Sequence, residues 1–347
     1  MSRRSNLQLP FVNWPAGDQQ RWEGAFKEGD LFDNSRGAHL AASTKNALRV
    51  SYAQYLKFVV EFRADLLALS PETRISREMV AQYVQWLKKS YQDAGVVITL
   101  HHLRLALRLI CPDSDWSWLL TITKRLAAAA PRKPRKYNQM TSERLYLLGI
   151  ELMDDAAAGA QKRGTISKGV AMNYRDGLLI AMLATLVPRR RTVAALRIGK
   201  HLVRAGQFWA LDVPGSDMKS KEPMDVPIVP EISRRIDVFL DRFRRRISAA
   251  EKHNGLWPSN KGRPLSANQI YAMVRKRTKN AFGFAVNLHR FRHSAGSLWS
   301  VYDPANVRGL KDLLGHVSFA PTEKHYIMGQ SRIAGRALAH AIDRPRE

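Results

Sequence analysis

Cysteine is nearly absent from this sequence, and long apolar runs are absent altogether. The 347 residues include one cysteine, Cys111, so an internal disulfide is excluded. We expect a reducing compartment, with Cys111 as a small core residue. No run of about 18 apolar residues occurs, which argues against a transmembrane helix. The first ten residues, MSRRSNLQLP, lack the apolar segment of a signal peptide. We therefore expect a cytoplasmic protein with no membrane partner.

Acidic residues are also scarce. Lys and Arg number 56 against 30 Asp and Glu, which gives a formal net charge of +26. The hydrophobic share of 45% is that of a globular protein, and a folded chain with this charge excess repels itself. Such an excess of positive charge usually indicates that the protein binds a polyanion. Nucleic acid matches it best, with an anionic membrane surface as the rival, so we expect a nucleoid-associated protein.

The hydrophobic pattern changes along the chain. Residues 1–38 show no steady period and are interpreted as an N-terminal arm. Over 39–130, apolar residues recur at spacings of three and four, which is typical of amphipathic helices. Four short helices are predicted there, beginning at Ser43, after Ser76, near Thr99 and near Ser117. The pattern therefore predicts a small helical bundle.

Residues 131–139, PRKPRKYNQ, form the clearest domain boundary. Two prolines disfavour helix, and a cluster of basic residues disfavours burial. A solvated linker explains the segment without any function, and contact with a phosphate backbone is the other interpretation. The basic side chains that would make that contact are Arg132, Lys133, Arg135 and Lys136.

Residues 140–347 are predicted to form a larger domain. Two segments, QFWALDVPG and MDVPIVP, have the composition of short strands, and the polar stretch GSDMKSKEP joins them as a hairpin. Helices are expected near 141–158, 170–186, 190–196, 230–248, 266–281, 288–300, 306–314 and 331–342. The predicted fold class is therefore mainly α (α+β), with a small antiparallel sheet.

Four stretches of this domain carry basic or nucleophilic side chains. The first, TLVPRRRTVAALR, places Arg189, Arg190 and Arg191 where a new helix begins. Arginines there oppose the helix macrodipole, so three together indicate a bound anion or an acidic partner, although a solvated basic turn is the simpler interpretation. The second is the hairpin DMKSKEP. Taken alone, its Lys219 and Lys221 are interpreted as solvent-exposed residues without a specific function.

The third stretch, NLHRFRHSAG, places His289, Arg292 and His293 on one face of a predicted helix. An H-x-x-x-H pair can bind zinc, but no acidic third ligand lies in the motif, so we expect no metal. The fourth stretch, LLGHVSFAPTEKHYI, contains His316 and then Tyr326. A tyrosine there is by itself an amphipathic surface residue, and the order of all four stretches is the stronger signal.

Along the chain the four stretches present, in order, Arg, Lys, His-x-x-Arg, Leu-Gly-His and Tyr. This order resembles the pattern of the tyrosine recombinases, the phage integrase family. HRFRHSAG resembles the family's H-x-L-R-H-(S/T) box, LLGH its L-G-H box, and KSKEPMDVPI its K-x-x-K-x-x-x-V-P-L hairpin. PRRRTVAALR resembles the R-x-x-(E/D)-x-x-x-L-R helix, and its spacing selects Arg189. The resemblance covers residues 140–347, and the preceding bundle resembles the family's SAM-like core-binding domain.

The resemblance implies a site-specific recombinase that cuts and rejoins DNA through a 3′-phosphotyrosyl link, with no metal, ATP or other cofactor. Tyr326 would be the nucleophile, and Arg189 and Arg292 would hold the non-bridging phosphate oxygens. Lys219, on a mobile hairpin, would protonate the departing 5′ oxygen. The remaining members of the set are two histidines: His289 would assist proton transfer from the tyrosine, and His316 would hydrogen-bond the phosphate.

The resemblance also implies double-stranded DNA as the partner, held in a C-shaped clamp that the linker closes. Four copies of the chain would act through a Holliday junction, as a homotetramer on DNA and a monomer or weak oligomer without it. An accessory directionality factor can join them, and a C-terminal helix would dock on a neighbouring copy or pack on its own domain. Beside the linker, DNA contacts are expected from Arg190, Lys221, Arg275, Lys276 and Arg290.

Two departures from the family pattern leave alternatives open. Thr192 occupies the position of the usual acidic residue, so a supporting carboxylate must come from elsewhere, for which Asp176 is the candidate. Either Arg189 or Arg190 can be the first catalytic arginine. The interval that ends at Tyr326 is one residue longer than usual. Two other functions also stay open, a catalytically silent DNA-binding protein of the same fold and a type IB topoisomerase.

Overall fold

The computed structural model of this chain describes residues 7–27, 29, 35–130, 140–218 and 221–302. The chain divides into two compact units, residues 1–135 and 136–347, and the division falls inside the segment predicted as the linker. None of the described helices is both long and apolar enough to span a membrane.

Helices make up the described part of the first unit. They are α1 (Ala16–Ala25), α2 (Ala42–Phe62), α3 (Pro71–Arg74), α4 (Arg77–Lys88), α5 (Asp93–Ile110) and α6 (Ser117–Ala129). Helix α4 begins where it was predicted because the Ser76 hydroxyl accepts the backbone N–H of Met79. Aromatic rings fill the core, where Tyr83 contacts Tyr55 and Phe58 at centroid distances of 5.2 and 5.3 Å.

The N-terminal segment belongs to this unit, which corrects the expectation of a loosely packed arm over 1–38. Trp14 and Trp22 lie in the same buried cluster as Tyr52 of α2. The backbone N–H of Leu9 donates to the carbonyl of Ala53 at 3.0 Å. The segment is attached by a few large aromatic side chains, and such anchors leave no steady period in the sequence.

A buried ion pair also holds this segment. The two Nη atoms of Arg74 donate to the Asp18 carboxylate at 2.8 and 3.0 Å, and Tyr52 Oη donates to the same carboxylate at 2.7 Å. Arg74 donates further to the carbonyl of Leu69 at 2.8 Å. Because both charges are hydrogen-bonded, the pair tolerates its burial. In the same unit Cys111 is buried, as predicted.

The described part of the second unit combines helices with a sheet. The helices are α7 (Ser142–Arg163), α8 (Lys168–Leu186), α9 (Arg190–Ala195), α10 (Pro230–Val238), α11 (Ala267–Phe282) and α12 (Leu288–Tyr302). The side chains of Thr141, Ser167 and Ser266 cap α7, α8 and α11. Helices α7 and α8 pack closely at Gly177, where an added Cβ atom would lie 2.6 Å from the carbonyl oxygen of Gly149.

The strands of the described residues form one antiparallel sheet in the order β1-β2-β3. They are β1 (Leu202–Ala205), β2 (Phe208–Val213) and β3 (Met224–Pro227). In the register, Val203 faces Ala210, and Leu211 faces Val226. Strands β2 and β3 were predicted. Strand β1 was not, because it has four residues and joins β2 by a tight turn at Gly206, whose φ is 62°.

The predicted helices of this unit need one correction within the described residues. The helix expected over 230–248 ends as an α-helix at Val238 and continues as a π turn over Phe239–Phe243 and a 3₁₀ turn over Arg244–Arg246. The helices expected near 306–314 and 331–342 lie outside the described residues. The fold class, mainly α with a small antiparallel sheet, is confirmed.

Candidate active site

The turn between α8 and α9 has a strained backbone. Val187, directly after α8, has φ 43° and ψ 36°. A β-branched residue rarely adopts this left-handed conformation, and the following Pro188 disfavours it further. Val187 is buried and packs against Ala295 and Trp299 of α12. Backbone strain persists where the surrounding packing overrides it, and it concentrates at functional sites.

Arg189 and Arg292 meet at this turn. Arg189 is the N-cap residue of α9, and Nη1 of Arg292 donates to the Val187 carbonyl at 2.6 Å. Burial first, and then the positive charge of Arg189, lower the pKa of Arg292 to about 10. Two guanidinium groups held close together, one of them partly removed from water, favour a bound anion.

His289 and His293 lie one turn apart on α12. Their Nε2 atoms are 3.0 Å apart, and their rings meet edge to face with centroids 4.5 Å apart. A hydrogen bond between two imidazole nitrogens requires one to donate and the other to accept, so at least one ring is neutral. Loss of solvent on part of its ring, and then the charge of Arg292, lower the pKa of His289. His289 is therefore neutral at pH 7.

Arg190 has different surroundings from Arg189. Its guanidinium lies over the ring of Tyr271 in α11, 5.6 Å from the centroid. Arg275 lies 5.4 Å from the same centroid and donates to Tyr271 Oη at 3.2 Å. By contrast, the charge that lowers the pKa of Arg292 is that of Arg189. This geometry favours Arg189 over Arg190 as the partner of Arg292.

Asp176 does not provide the carboxylate that was expected beside the first arginine. Arg175 donates to its Oδ1 at 2.6 and 3.0 Å, and Arg277 of α11 donates to its Oδ2 at 2.7 and 2.8 Å. Asp176 therefore ties α8 to α11, about three turns before the end of α8. Thr192, at the family's acidic position, is buried, and its Oγ1 lies 3.4 Å from Sδ of Met218.

His201 and Asp217 make a contact that was not predicted from the sequence. Nε2 of the buried His201 is 2.9 Å from Oδ2 of Asp217, and Nζ of Lys200 is 2.7 Å from the same oxygen. Asp217 ends a short 3₁₀ turn, Gly215–Asp217, that follows β2. Asp217 begins the stretch DMKSKEP, His201 stands in none of the four stretches, and only the fold brings the two together.

Part of the predicted site lies outside the described residues. These residues are Lys219, His316 and Tyr326 of the catalytic set and Arg132, Lys133, Arg135 and Lys136 of the linker. Of the other predicted DNA contacts, Lys221, Arg275 and Lys276 are exposed, and Arg290 is partly exposed. Over the part of the chain that the structure describes, no three metal-ligating side chains cluster.

The sequence matches a protein family. Residues 165–331 match the model of the phage integrase family, a span that contains the α8–α9 turn, Arg292 and the predicted nucleophile Tyr326. The tyrosine recombinase XerD of Halalkalibacterium halodurans is 20% identical to this chain over 291 residues, which cover 82% of this chain and 87% of that protein.

Two solved structures are also similar. The XerH site-specific recombinase bound to palindromic difH substrate, in a post-cleavage complex, gives a TM-score of 0.55 at 15% identity and covers 95% of this chain and 98% of that one. The XerA recombinase gives 0.43 at 19% identity and covers 90% and 95%. The first supports the fold, and the family match confirms the resemblance found in the motifs. Residues 165–331 of this chain are therefore similar to the phage integrase family, in agreement with the order of motifs in the sequence.

Proposed function

We propose that this recombinase cuts and rejoins DNA at specific sites through a covalent link between Tyr326 and a 3′ phosphate. The observation that carries the proposal is the pairing of Arg189 with Arg292 at the strained Val187 turn, with His289 on the same helix as Arg292. The proposal assigns the chemical steps below to particular side chains.

Arg189 and Arg292 hold the scissile phosphate. A guanidinium that burial and a like charge disfavour gains most when an anion arrives, and the lowered pKa of Arg292 reports that situation. Guanidinium groups match the geometry of phosphate oxygens and stay charged at neutral pH. The same two groups stabilise the additional charge that develops on the phosphorane during attack.

His289 handles the proton of the nucleophile. Because its pKa is lowered, its imidazole is neutral at pH 7 and has a lone pair available to accept a proton. Its hydrogen bond with His293 limits how the ring can turn. The positive charge of Arg292 keeps the imidazole neutral until the tyrosine gives up its proton.

The remaining groups complete one phosphoryl transfer. The oxygen of Tyr326 attacks phosphorus, the bond from phosphorus to the 5′ oxygen breaks, and that oxygen leaves with its electron pair. Lys219 donates a proton to the departing 5′ oxygen, and His316 hydrogen-bonds the phosphate. Because the phosphotyrosyl bond retains the energy of the broken phosphodiester, religation by another 5′ hydroxyl needs no energy source.

DNA is bound by the basic faces around this site. The exposed side chains of Arg275 and Lys276 on α11 lie on the helix whose Tyr271 holds Arg190, and Arg290 follows the N-terminus of α12. With Lys221 and the linker, these residues contact the phosphate backbone and set the position of the protein without reading sequence. The net charge of +26 supports this role.

The assembled form is a homotetramer on DNA, formed from monomers or weak oligomers. The XerH neighbour is bound to a palindromic substrate, and a palindrome presents two equivalent half-sites to two copies of one protein. Two such sites account for four copies and for a Holliday junction between the strand exchanges. A cytoplasmic, nucleoid-associated location and an accessory directionality factor complete the proposal.

Covalent trapping on nicked DNA tests this function. The protein is incubated in EDTA with a pool of duplexes of randomised sequence, each nicked near its centre so that the cut strand diffuses away. Complexes that survive denaturation are isolated and their DNA is sequenced. We expect a covalent band on a defined sequence, and we expect Tyr326→Phe to lose it.

Tyr302→Phe is the matched control, because it removes the hydroxyl of an exposed tyrosine at the end of α12. It should leave the band intact. A band that survives in Tyr326→Phe would contradict the choice of nucleophile. Binding without any band in the wild type would favour the silent DNA-binding protein, and relaxation of supercoiled plasmid without strand exchange would favour the topoisomerase.

A further inference from the structure

We infer that Asp217 is a positioning residue for the general acid. It attaches the turn between β2 and β3, which carries Lys219 in the sequence, to the segment that carries Arg189. This inference rests on the function proposed above. No motif marks Asp217 or its partner His201, and the contacts of the turn with its surroundings carry the argument.

The first contact fixes the tip of Asp217. A carboxylate only accepts hydrogen bonds, so Nε2 of His201 must carry the proton in their 2.9 Å contact. Nδ1 of the same ring lies 3.2 Å from both the Arg197 N–H and the Ala195 carbonyl, at the end of α9. His201 therefore connects α9 to Asp217 through both nitrogens, and it is buried, with a side chain 4% exposed.

A second basic group strengthens this attachment. Lys200 donates to the carboxylate oxygen that His201 also contacts, at 2.7 Å. The hydrogen bonds of Lys200 and then His201 lower the pKa of Asp217, so its carboxylate stays ionised at neutral pH. Charge-assisted hydrogen bonds of this kind are stronger than neutral ones.

The two ends of the turn are also held against each other. The backbone N–H of Lys221 donates to the carbonyl of Met218 at 3.1 Å. A Cβ atom on Gly215 would lie 2.2 Å from the Lys221 carbonyl oxygen, so only glycine permits the two segments to approach this closely. Lys221 itself adopts the left-handed backbone conformation, with φ 59°.

A contact of Met218 attaches the same turn to α9 a second time. Sδ of Met218 lies 3.4 Å from Oγ1 of Thr192, one turn into the helix that Arg189 caps. The position where the family usually has an acidic residue thus contacts the residue that directly precedes Lys219 in the sequence. The chain from Asp217 to Lys219 spans two peptide units, about 7 Å at most.

These contacts give Asp217 a specific task. A general acid acts only within hydrogen-bond reach of the oxygen that it protonates. Because the turn is attached to α9, the same helix holds the turn that carries Lys219 in the sequence and Arg189, which holds the phosphate. Loss of the Asp217 carboxylate would then impair leaving-group protonation while phosphate binding survives.

A substrate whose leaving group needs no acid tests this directly. The duplex selected by the wild type in the trapping experiment is made twice, once unmodified and once with sulfur in place of the bridging 5′ oxygen. With sulfur, the tyrosine oxygen bonds to phosphorus, the phosphorus–sulfur bond breaks, and sulfur leaves with the electron pair as a thiolate. A thiolate is a far weaker base than an alkoxide, so no proton is required.

We expect Asp217→Asn to slow covalent cleavage of the unmodified duplex by up to about a hundredfold, a usual cost of misplacing a reacting group. On the sulfur duplex it should cleave at close to the wild-type rate. Affinity for the duplex, measured by gel shift, should not change. Lys200→Met, which leaves the buried His201 in place, should show a smaller defect with the same recovery.

Asp225→Asn is the control, because it removes an exposed carboxylate from β3 of the same hairpin. It should cleave both duplexes like the wild type. Equal defects of Asp217→Asn and Lys200→Met on the two duplexes, or no defect in either variant, would overturn the inference. Failure of the proposed function is distinguishable, because the wild type would then form no covalent complex on either duplex.

Discussion

Two arginines of this chain, one buried and one partly buried, have opposite surroundings. Arg74 in the first unit is paired with the Asp18 carboxylate and is fully enclosed. Burial opposes its charge, but the hydrogen bonds and charge of Asp18 outweigh burial and raise the pKa of Arg74. Arg292 in the second unit donates to the Val187 carbonyl and lies near another arginine, and its pKa falls to about 10.

The difference distinguishes structural from functional charge. A carboxylate supplied by the fold neutralises Arg74, and the pair then stabilises a particular packing of α1. At Arg292 the fold supplies a neighbouring positive charge instead, which favours a negative ligand. The same residue type is therefore neutralised by the fold in one unit, whereas in the other its surroundings favour an anion.

The largest expected effect is on stability in the first unit. Arg74→Met leaves the buried Asp18 carboxylate without its guanidinium, and we expect the free energy of unfolding to fall by about 3–5 kcal/mol. Denaturant unfolding followed by circular dichroism measures this change. Arg63→Met is the control, since Arg63 is exposed and pairs with an exposed Asp65. A loss as small as that of the control would contradict the structural role of Arg74.

The next effect concerns activity in the second unit. Arg189→Gln should slow covalent cleavage about 10²- to 10³-fold, because it removes a donor to the charge that develops in the transition state. Arg190→Gln, which removes only the side chain stacked on Tyr271, should cost less than about tenfold, mainly through DNA affinity. Single-turnover cleavage at saturating protein separates the two contributions. A larger loss of single-turnover rate in Arg190→Gln would reverse the choice between them.

The third prediction concerns stability again, with a smaller change that is opposite in sign to the change expected for Arg74→Met. Arg292→Met removes a charge that the fold disfavours, so the protein without DNA should become more stable by on the order of 1 kcal/mol. Arg277→Met, the control, removes one of the two arginine partners of the buried Asp176 and should destabilise the protein. Thermal unfolding of both variants checks the contrast. Comparable destabilisation by both would mean that Arg292 is a structural residue like Arg74.

The sequence predicted the second unit better than the first. Motif order predicted Arg189, His289 and Arg292 as site residues, and the structure brings Arg189 close to Arg292 and places His289 on the same helix as Arg292. Helices α8, α11 and α12 began within two residues of their expected positions, because each shows a regular apolar period or a capping side chain. Apolar periodicity and capping residues depend only on neighbouring residues, so they indicate a helix whatever the tertiary fold.

Contacts between residues that are far apart in the sequence were not predicted. Asp18 stands in a segment without period, and its partner Arg74 lies 56 residues away. The pairing of Asp217 with His201 arises only when the sheet forms. Asp176 was expected to support the first arginine of the motif, yet it binds Arg175 and Arg277, because the partners of a carboxylate follow from helix packing and not from its place in a motif.

The smallest expected effect is on the titration of His289. Its folded pKa lies below the ordinary value, so the folded state binds fewer protons than the unfolded state just below pH 6.5. This contribution to stability is complete above pH 6.5 and is lost as the pH falls through the folded pKa. An NMR titration should give His289 a pKa below 6.5, and Arg292→Met should raise it. No change in Arg292→Met would contradict the coupling of the two side chains.

The most direct measurement compares a charged with a neutral scissile group. Wild type and Arg292→Met are given the selected duplex with either a phosphate or a methylphosphonate, in which a methyl group replaces one charged oxygen, at the scissile position. If Arg292 compensates phosphate charge, the variant should lose at least about a hundredfold in cleavage rate on the phosphate and much less on the methylphosphonate. An equal loss on both duplexes would show that Arg292 serves the fold and does not hold the phosphate.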